Sequence, residues 1–240
     1  MELSKRLTAV AELVTAGGRT ADIGTDHAYV PIWLVQNGRI PSAIAMDVNS
    51  GPLERARAHV IQNNLEGQIE LRLSDGFAAL VPGEVDTAVI AGMGGGLLIR
   101  ILREGADVVR SLKECILQPQ SEIEKVRAFL LEEGFSFIRE DMVEEDEKYY
   151  PMMKVVPPMD ENDISRNRGK SWNETEVRYG KLLLEAKNQV LHDFLLREIR
   201  IKNEILSSLE KSDSERAEKR KNQIRNELAY VQKGMEYYGL

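Results

Sequence analysis

Cysteine is nearly absent from this 240-residue sequence, which contains only Cys115 and therefore forms no internal disulfide bond. Such a composition is typical of proteins from a reducing compartment, and we expect a cytoplasmic protein. Cys115 begins the apolar run 115–117, and residues 114–117 are predicted to form a buried strand. Because no base lies near it in the sequence, we interpret Cys115 as a core residue and not as a nucleophile.

Histidine and long apolar runs are also scarce. The three histidines show no metal-ligand spacing with one another or with Cys115, which predicts that the protein binds no metal. We interpret His59 and His192 as surface residues of helices. Residues 1–6 lack the apolar segment of a signal peptide, and no apolar run is long enough to span a bilayer. We therefore expect no membrane partner.

Charge is abundant, and its sign changes along the chain. The net charge is −7, but the acidic excess lies in residues 1–160, whereas basic residues slightly outnumber acidic ones in residues 161–240. This asymmetry is compatible with an acidic enzyme whose tail contacts a polyanion. A solvated helix of mixed charge explains the asymmetry as well and is the more common case.

Short apolar runs alternate with helical patterns in the first part of the chain. An amphipathic first helix is indicated by apolar residues at helical spacing, namely Leu3, Leu7, Val10 and Val14. Five strands, with helices between them, are predicted in residues 20–23, 43–47, 69–73, 87–91 and 115–118. Ser121 and Glu124 match a capping box for the helix after the fifth strand. The alternation predicts an α/β fold with a parallel sheet.

Two strand-like runs follow without a helix between them. They cover residues 135–140 and 149–156, and the acidic turn 144–147 joins them. This pattern predicts an antiparallel hairpin at the end of the sheet, and hence seven strands, most of them parallel. A doubly wound sheet that ends in such a hairpin is typical of class I, or Rossmann-like, methyltransferases.

The polar, proline-led segment 157–170 predicts a boundary between a domain of residues 1–160 and a helical domain of residues 161–240. Ser171 matches the cap of one long helix, and Ser212 matches the cap of a second. Apolar residues recur at helical spacing in the first helix, with a register shift, and at spacings of seven, four and three residues in the second. We therefore predict a C-terminal coiled-coil hairpin.

Four acidic or glycine-rich clusters follow the predicted strands, in residues 24–29, 47–49, 75–76 and 92–96. Ligands bind outside the carboxyl ends of the strands in open α/β sheets, so we expect the clusters to converge on one crevice. The first cluster has Asp26 where a dinucleotide motif has its second glycine, and an acid is unfavourable beside a pyrophosphate. A glycine turn with a carboxylate instead suits S-adenosylmethionine. An ordinary turn with a capping aspartate is the alternative.

The predicted cofactor-binding residues are Gly24, Asp26, Asp47, Val48, Asn49, Asp75, Gly76, Gly92 and Met93. Asp47 lies where a carboxylate accepts both ribose hydroxyls of NAD or S-adenosylmethionine. Asp75 can accept a hydrogen bond from an adenine amino group, while Gly76 leaves room for the ring. The glycines that begin at Gly92 favour close approach of the backbone to a ligand. The spacing of an ATP-binding phosphate loop is missing there.

Gln118 ends the fifth strand, and its amide can both donate to and accept from the Watson–Crick edge of a base. It is therefore a candidate substrate contact, although a polar turn at a strand end explains it equally well. Taken together, the spacing of the clusters indicates a methyltransferase and leaves the substrate open.

The chain resembles the bacterial TrmK family of tRNA adenine-N1 methyltransferases, which modify position 22 in the D arm. The segments that carry the resemblance are Leu3–Leu7, Asp22–Tyr29, Ala91–Gly95 and Leu117–Gln120. The likeness covers essentially the whole chain. It implies a class I methyltransferase fold, S-adenosylmethionine as methyl donor, and a C-terminal helical domain that helps to hold tRNA.

Our mechanistic hypothesis is in-line transfer of the methyl group to adenine N1. N1 already carries a lone pair, so positioning of the two reactants supplies much of the rate. A carboxylate would stabilise the positive charge left on the base or help to remove an N6 proton. We assign this role to Asp26, with His27 shaping the pocket and Tyr29 stacking on the base. Alternatively, Asp26 and His27 only bind the cofactor.

Basic residues of the tail are candidates for phosphate contacts, namely Lys181, Lys187, Arg197, Arg200, Lys202, Lys219, Arg220 and Lys221. A solvated helix face with ion pairs is the alternative. Two other functions remain open: a methyltransferase for another RNA, a protein or a small molecule, and a non-catalytic RNA-binding protein that retains a cofactor pocket. The sequence leaves the oligomeric state undetermined.

Overall fold

The computed structural model describes residues 2–160, 162–163, 172–210 and 214–239. Contacts divide the chain into two compact units, Met1–Ser171 and Trp172–Leu240. The boundary that the sequence predicts, after residue 160, lies shortly before this division. The first unit contains the sheet, and the second unit is helical.

The strands of the first unit are β1 (Thr20–Ile23), β2 (Ala43–Asp47), β3 (Ile69–Leu73), β4 (Thr87–Gly94), β5 (Glu114–Ser121), β6 (Ser136–Glu145) and β7 (Lys148–Val156). They form one sheet in the order β3-β2-β1-β4-β5-β7-β6. The first five strands run parallel, whereas β7 pairs antiparallel with β5 and with β6. The prediction of a mostly parallel seven-stranded α/β sheet that ends in a hairpin is confirmed.

Helices cover both faces of this sheet. They are α1 (Lys5–Leu13), α2 (Tyr29–Gln36), α3 (Ser50–Gln62), α4 (Gly95–Glu104), α5 (Ala106–Ser111) and α6 (Ile123–Glu132). Consecutive strand residues point to opposite faces, so Ile90 joins the core under α4 to α6 while Val89 joins the core under α1 to α3. Cys115 is fully buried, and burial raises the pKa of its thiol, which confirms its interpretation as a core residue.

Two local predictions in this unit are wrong. Residues 74–86 form turns and not a helix between β3 and β4. The Ser74 hydroxyl closes the first of these turns, because it donates to the Gly76 carbonyl at 2.9 Å and accepts from the Ala79 amide at 3.0 Å. Ser121 does not cap α6, because it is the last residue of β5 and its hydroxyl instead accepts a hydrogen bond from the Gly95 amide.

The second unit contains α7 (Glu174–Tyr179), α8 (Lys181–Glu185), α9 (Gln189–Leu209) and α10 (Glu215–Glu236). One long helix was predicted where the structure has α7, α8 and α9, and this prediction is wrong. Gly180 has a φ of +96° between α7 and α8, and Lys187 has a φ of +49° before α9, so neither residue continues a right-handed helix. The predicted caps Ser171 and Ser212 lie outside the described residues.

Helix caps in the second unit come from other polar residues. Asn173 and Glu176 form a reciprocal capping box at α7, Asn188 caps α9, and Ser214 caps α10. The helices α9 and α10 pack antiparallel, because Leu195 contacts Gly234 while Lys202, later in α9, pairs with Glu227, earlier in α10. The coiled coil stays a prediction.

Candidate active site

The carboxyl ends of the first three strands are joined by backbone hydrogen bonds. The amides of Gly24 and Thr25, just after β1, donate to the Met46 carbonyl of β2 at 2.8 and 2.9 Å. The Ser74 amide, just after β3, donates to the Asp47 carbonyl at 2.9 Å. Three of the predicted clusters therefore lie side by side at one edge of the sheet. The fourth follows β4, which pairs with β1.

A cavity of about 320 Å³ opens between the ends of β1 and β4, where the order of the strands reverses. Five of the predicted site residues line it, namely Gly24, Asp26, His27, Tyr29 and Gly92. Ligands of open α/β sheets bind at such a reversal point. The cavity is therefore our candidate for the reaction site.

Glycine is required at the turn after β1. Gly24 has a φ of +77°, and a Cβ atom built on it would lie 2.1 Å from the Met93 methyl carbon. Gly92 also has a positive φ, of +81°, on the opposite side of the cavity. The Met93 side chain therefore packs against the Gly24 turn, whereas the nearest non-neighbouring atom among the described residues lies 3.7 Å from the Cβ position at Gly92.

The turn after β2 carries Asp47, Val48 and Asn49. One carboxylate oxygen of Asp47 accepts a hydrogen bond from the Asn49 amide at 2.8 Å, which orients the side chain. Val48 is 58% exposed although it is apolar. An exposed apolar residue beside an oriented carboxylate is compatible with a nucleoside site, in which a ring packs on one group and hydroxyls bond to the other.

Asp75 and Gly76 follow β3. Asp75 is half exposed, and its carboxylate pairs with Arg100 of α4 at 3.1 Å. Gly76 has a φ of +55°, and a Cβ atom there would lie 3.1 Å from Ile101. Arg100 thus holds Asp75 at the rim of the sheet edge, outside the residues that line the cavity.

Asp22 lines the cavity as well, although the sequence analysis assigned it no role. It is 6% exposed, and its carboxylate accepts a hydrogen bond from the Thr25 hydroxyl at 2.6 Å. Burial raises the pKa of Asp22 to about 6, the Thr25 hydrogen bond lowers it, and the charge of Asp47 raises it further. Its place two residues before Gly24, at the end of a buried strand, is the signal that could have identified it.

Asp26 is held by a cation that the sequence analysis did not consider. One of its carboxylate oxygens pairs with Arg55 of α3 at 2.5 Å, and the other lies 3.5 Å from Nε2 of His27. Asp26 has a φ of +46°, so the turn presents its side chain from a left-handed conformation. Arg55 therefore neutralises part of the charge of the predicted catalytic carboxylate.

Three rings stack beside Asp26. His27 and Tyr29 are parallel with centroids 4.9 Å apart, and His59 lies 5.1 Å from Tyr29. Among the described residues, Nδ1 of His27 has no hydrogen-bond partner. The interpretation of His59 as a surface residue is wrong, because it is half-buried against Tyr29 and its Nδ1 contacts the His27 carbonyl. His192 is also half-buried, in ring contact with Tyr238.

Gln118 is fully buried, and its amide is bonded within the protein. Its Oε1 accepts a hydrogen bond from the Arg6 guanidinium at 2.8 Å, and its Nε2 donates to the Pro119 carbonyl at 3.1 Å. Arg6, which the sequence analysis missed, and Gln120 line the cavity in its place. Gln118 thus contacts Arg6, which lines the cavity, and does not line the cavity itself.

In the helical unit, ion pairs hold half of the basic residues predicted to contact phosphates, namely Lys181, Lys202, Arg220 and Lys221. Lys202 lies between the carboxylates of Glu198 and Glu227, at 2.7 and 3.0 Å. The described residues show no ion pair for Lys187, Arg200 or Lys219, all of which are exposed. These three side chains are the better candidates for contact with a polyanion.

Residues 2–160, 162–163, 172–210 and 214–239 contain no group of three or more His, Cys, Asp or Glu side chains that could hold a metal ion. No helix in these ranges is long and apolar enough to cross a membrane.

Comparison with known proteins agrees with this geometry. Residues 3–153 match the methyltransferase domain family. A Bacillus subtilis tRNA (adenine(22)-N(1))-methyltransferase is 39% identical over 153 residues, which is 64% of this chain and 64% of that protein. The crystal structure of the B. subtilis M1A22 tRNA methyltransferase TrmK is 30% identical, covers 98% of this chain and 99% of its own, and has a TM-score of 0.80. The chain belongs to the TrmK family.

A second solved structure shows a ligand in a TrmK. The M. capricolum TrmK in complex with the natural cofactor product S-adenosyl-homocysteine is 26% identical, with a TM-score of 0.80 and 99% coverage of both chains. The match extends over both units of this TrmK-family chain.

Proposed function

We propose that this chain transfers a methyl group from S-adenosylmethionine to N1 of adenine 22 of tRNA. The observation that carries the proposal is the cavity at the β1–β4 reversal point. Two glycines with positive φ and the carboxylates of Asp22 and Asp26 line it, in a chain that matches TrmK structures over 98% of its length. The names of these relatives support the tRNA and the N1 atom as substrate.

The residues at the sheet edge fit the donor. Bound S-adenosylmethionine supplies an electrophilic methyl group on a sulfonium. The Gly24 turn has a positive φ and carries no side chain, Asp47 offers an oriented carboxylate for the ribose hydroxyls, and Asp75 offers one for the adenine amino group. Val48, Asn49, Gly76 and Met93 border the same edge and complete the donor site that we propose.

Residues on the other side of the Gly24 turn suit the acceptor base. Tyr29 lines the cavity, and contacts with His27 and His59 hold its ring in place, so we propose that the base packs against this ring. One oxygen of Asp26 pairs with Arg55, and the other, which lies 3.5 Å from Nε2 of His27, is the one that we propose to stabilise the positive charge that methylation leaves on adenine. Because N1 lies on the pairing edge, the adenine must first be exposed.

The helical unit is proposed to contact the tRNA backbone through Lys187, Arg200 and Lys219. These cations are exposed and carry no ion pair in the described residues, whereas their neighbours Lys202 and Lys221 are paired. Phosphate contacts position an RNA without reading its sequence. Because tRNA is the proposed substrate, we also propose a cytoplasmic location.

The decisive assay incubates the protein with labelled S-adenosylmethionine and unmodified tRNA and then maps the methylated nucleotide. Asp26→Asn should lower kcat by at least about 100-fold while leaving the affinity for S-adenosyl-homocysteine within about twofold, because the lost charge acts on the acceptor. Asp47→Asn should instead weaken S-adenosyl-homocysteine binding by about tenfold or more.

Arg57→Gln provides a control. Arg57 is an exposed residue of α3, so this variant should change neither kcat nor the affinity for S-adenosyl-homocysteine. Methylation of a protein or small molecule but not of tRNA would overturn the proposed substrate. A loss of S-adenosyl-homocysteine affinity in Asp26→Asn, together with a loss of kcat alone in Asp47→Asn, would overturn the roles proposed for the two residues.

A further inference from the structure

The residues that line the cavity carry both signs of charge. We propose that Arg6, oriented by Gln118, binds the carboxylate at the amino-acid end of the methyl donor. This inference rests on the proposed function, because it takes S-adenosylmethionine as the donor. It makes Arg6 a donor-binding residue and Gln118 a positioning residue.

Three contacts fix the place of Arg6, although it lies near the start of the chain. Its Nη1 donates to Oε1 of Gln118 at 2.8 Å, and its guanidinium lies 5.5 Å from the centre of the Tyr150 ring. Its backbone amide donates to Glu145 at 3.2 Å. The guanidinium group is planar and rigid, so these contacts also fix the directions of its remaining N–H donors.

We infer that Gln118 sets the orientation of the Arg6 guanidinium. Its side chain is fully buried, and its Nε2 is bonded to the Pro119 carbonyl, which directs Oε1 to the guanidinium. A buried amide with both ends bonded has one orientation. Gln118 of β5 thus contributes through Arg6, and not through a direct contact with the substrate base.

The Arg6 guanidinium lies beside Gly92, whose backbone carries no side chain. A Cβ atom on Gly92 would lie 3.7 Å from Nη1 of Arg6 and 3.8 Å from Nε2 of Gln120. Two nitrogen donors from α1 and β5 therefore converge beside a glycine that leaves room for a ligand. Paired N–H donors in this arrangement are suited to an oxyanion.

Charge decides which oxyanion fits. The same cavity contains the carboxylates of Asp22 and Asp26, which would repel a phosphodiester. The amino-acid end of the donor is a zwitterion, so its carboxylate can bind Arg6 while its ammonium lies near Asp22. This complementarity favours the donor over the RNA backbone as the partner of Arg6.

The test compares two ligands by calorimetry. S-adenosyl-homocysteine has the amino-acid end, whereas 5′-methylthioadenosine shares the nucleoside and sulfur but lacks that end. Arg6→Gln should weaken the affinity for S-adenosyl-homocysteine by about 10- to 100-fold and change the affinity for 5′-methylthioadenosine by less than about twofold. Arg6→Lys should recover only part of the loss, because lysine lacks the planar guanidinium group.

Gln118→Met should produce a smaller loss of about 3- to 10-fold, again confined to S-adenosyl-homocysteine. It tests positioning, because methionine has a similar volume and no hydrogen-bond acceptor of comparable strength. Arg57→Gln removes the same charge from an exposed position and should leave both affinities unchanged. The affinity for 5′-methylthioadenosine also shows whether each variant is folded.

Three results would overturn the inference. In the first, Arg6→Gln leaves S-adenosyl-homocysteine binding unchanged, and a raised KM for tRNA would then identify an RNA contact. In the second, both ligands weaken equally, which would indicate general damage to the cavity. In the third, the unaltered protein binds neither ligand, which would overturn S-adenosylmethionine as the donor as well as the role of Arg6. This result is distinct from the first two, in which the unaltered protein still binds the donor analogue.

Discussion

Replacing Asp22 by Asn should stabilise the protein at neutral pH. Burial is the main reason that the pKa of Asp22 rises from 3.8 to about 6 in the folded protein. As the pH rises through this interval, the unfolded chain releases the proton while the folded chain retains it. The folded state then binds more protons than the unfolded state, so stability falls with rising pH.

The size of the effect follows from the difference between the two pKa values. About two pH units correspond to about 3 kcal/mol, which is fully expressed above pH 6 and absent below about pH 4. Asparagine has no charge to desolvate, and its oxygen can still accept the hydrogen bond from Thr25, which is 2.6 Å long in this structure. We expect Asp22→Asn to add about 2 kcal/mol at pH 7.5 and about one third of that at pH 4.5.

Urea unfolding at the two pH values measures this difference. Fluorescence of Trp33, in the first unit, reports the relevant transition if Trp172, in the second unit, is replaced by Phe in all variants. Asp107→Asn is the control, because its side chain is 88% exposed and its removal should change stability by less than about 0.5 kcal/mol. A gain of equal size at both pH values, or no gain at pH 7.5, would refute the reasoning.

The remaining predictions concern the donor site and the helical unit. Gly24→Ala should lower stability by about 1–2 kcal/mol and weaken S-adenosyl-homocysteine binding, because the φ of +77° disfavours a side chain and the new Cβ atom meets Met93; unchanged binding in calorimetry would contradict this. The double variant Arg200→Glu with Lys219→Glu should weaken tRNA binding in a filter assay by at least about tenfold and reduce its salt dependence, with S-adenosyl-homocysteine binding unaffected. Equal losses for both ligands would show that the helices are damaged.

Asp22 illustrates how a buried acidic group in the site lowers the stability of the folded protein at neutral pH. A charged carboxylate is disfavoured at a buried position that an uncharged residue could fill. Groups with a raised pKa inside a cavity are typical of functional sites, where affinity for a ligand offsets the loss of stability. An Asp22→Asn variant that gains stability and loses donor affinity would show directly that Asp22 lowers stability while it contributes to donor binding.

Local sequence patterns were sufficient for much of the sheet. The bounds predicted for β1, β2 and β3 agree with the structure. The strands β1 and β2 are short, mainly apolar segments, β3 alternates apolar with charged residues, and a polar or glycine residue marks the end of each. Cys115 was identified as buried on the same grounds. The convergence of Gly24 and Asp47 at one edge follows from parallel topology, which the strand and helix order already implies.

Helix ends were harder to predict, because capping motifs compete over a few residues. The Ser121 motif matches a cap, but β5 extends through Ser121 and the hydroxyl bonds to Gly95 instead. Gly180 interrupts what the apolar spacing suggests is one helix. In both cases, contacts made by the rest of the unit decide between structures that are locally similar in energy.

The sequence by itself determined the class of fold, the order of the strands along the chain and the edge of the sheet that carries the site, since these depend on local apolar runs. Only the tertiary structure brought Arg6 to Gln118, 112 residues away, and placed Arg55 on Asp26. It also set the raised pKa of Asp22. Such features depend on burial and on contacts between distant segments, and the spacing of residues along a chain does not encode them.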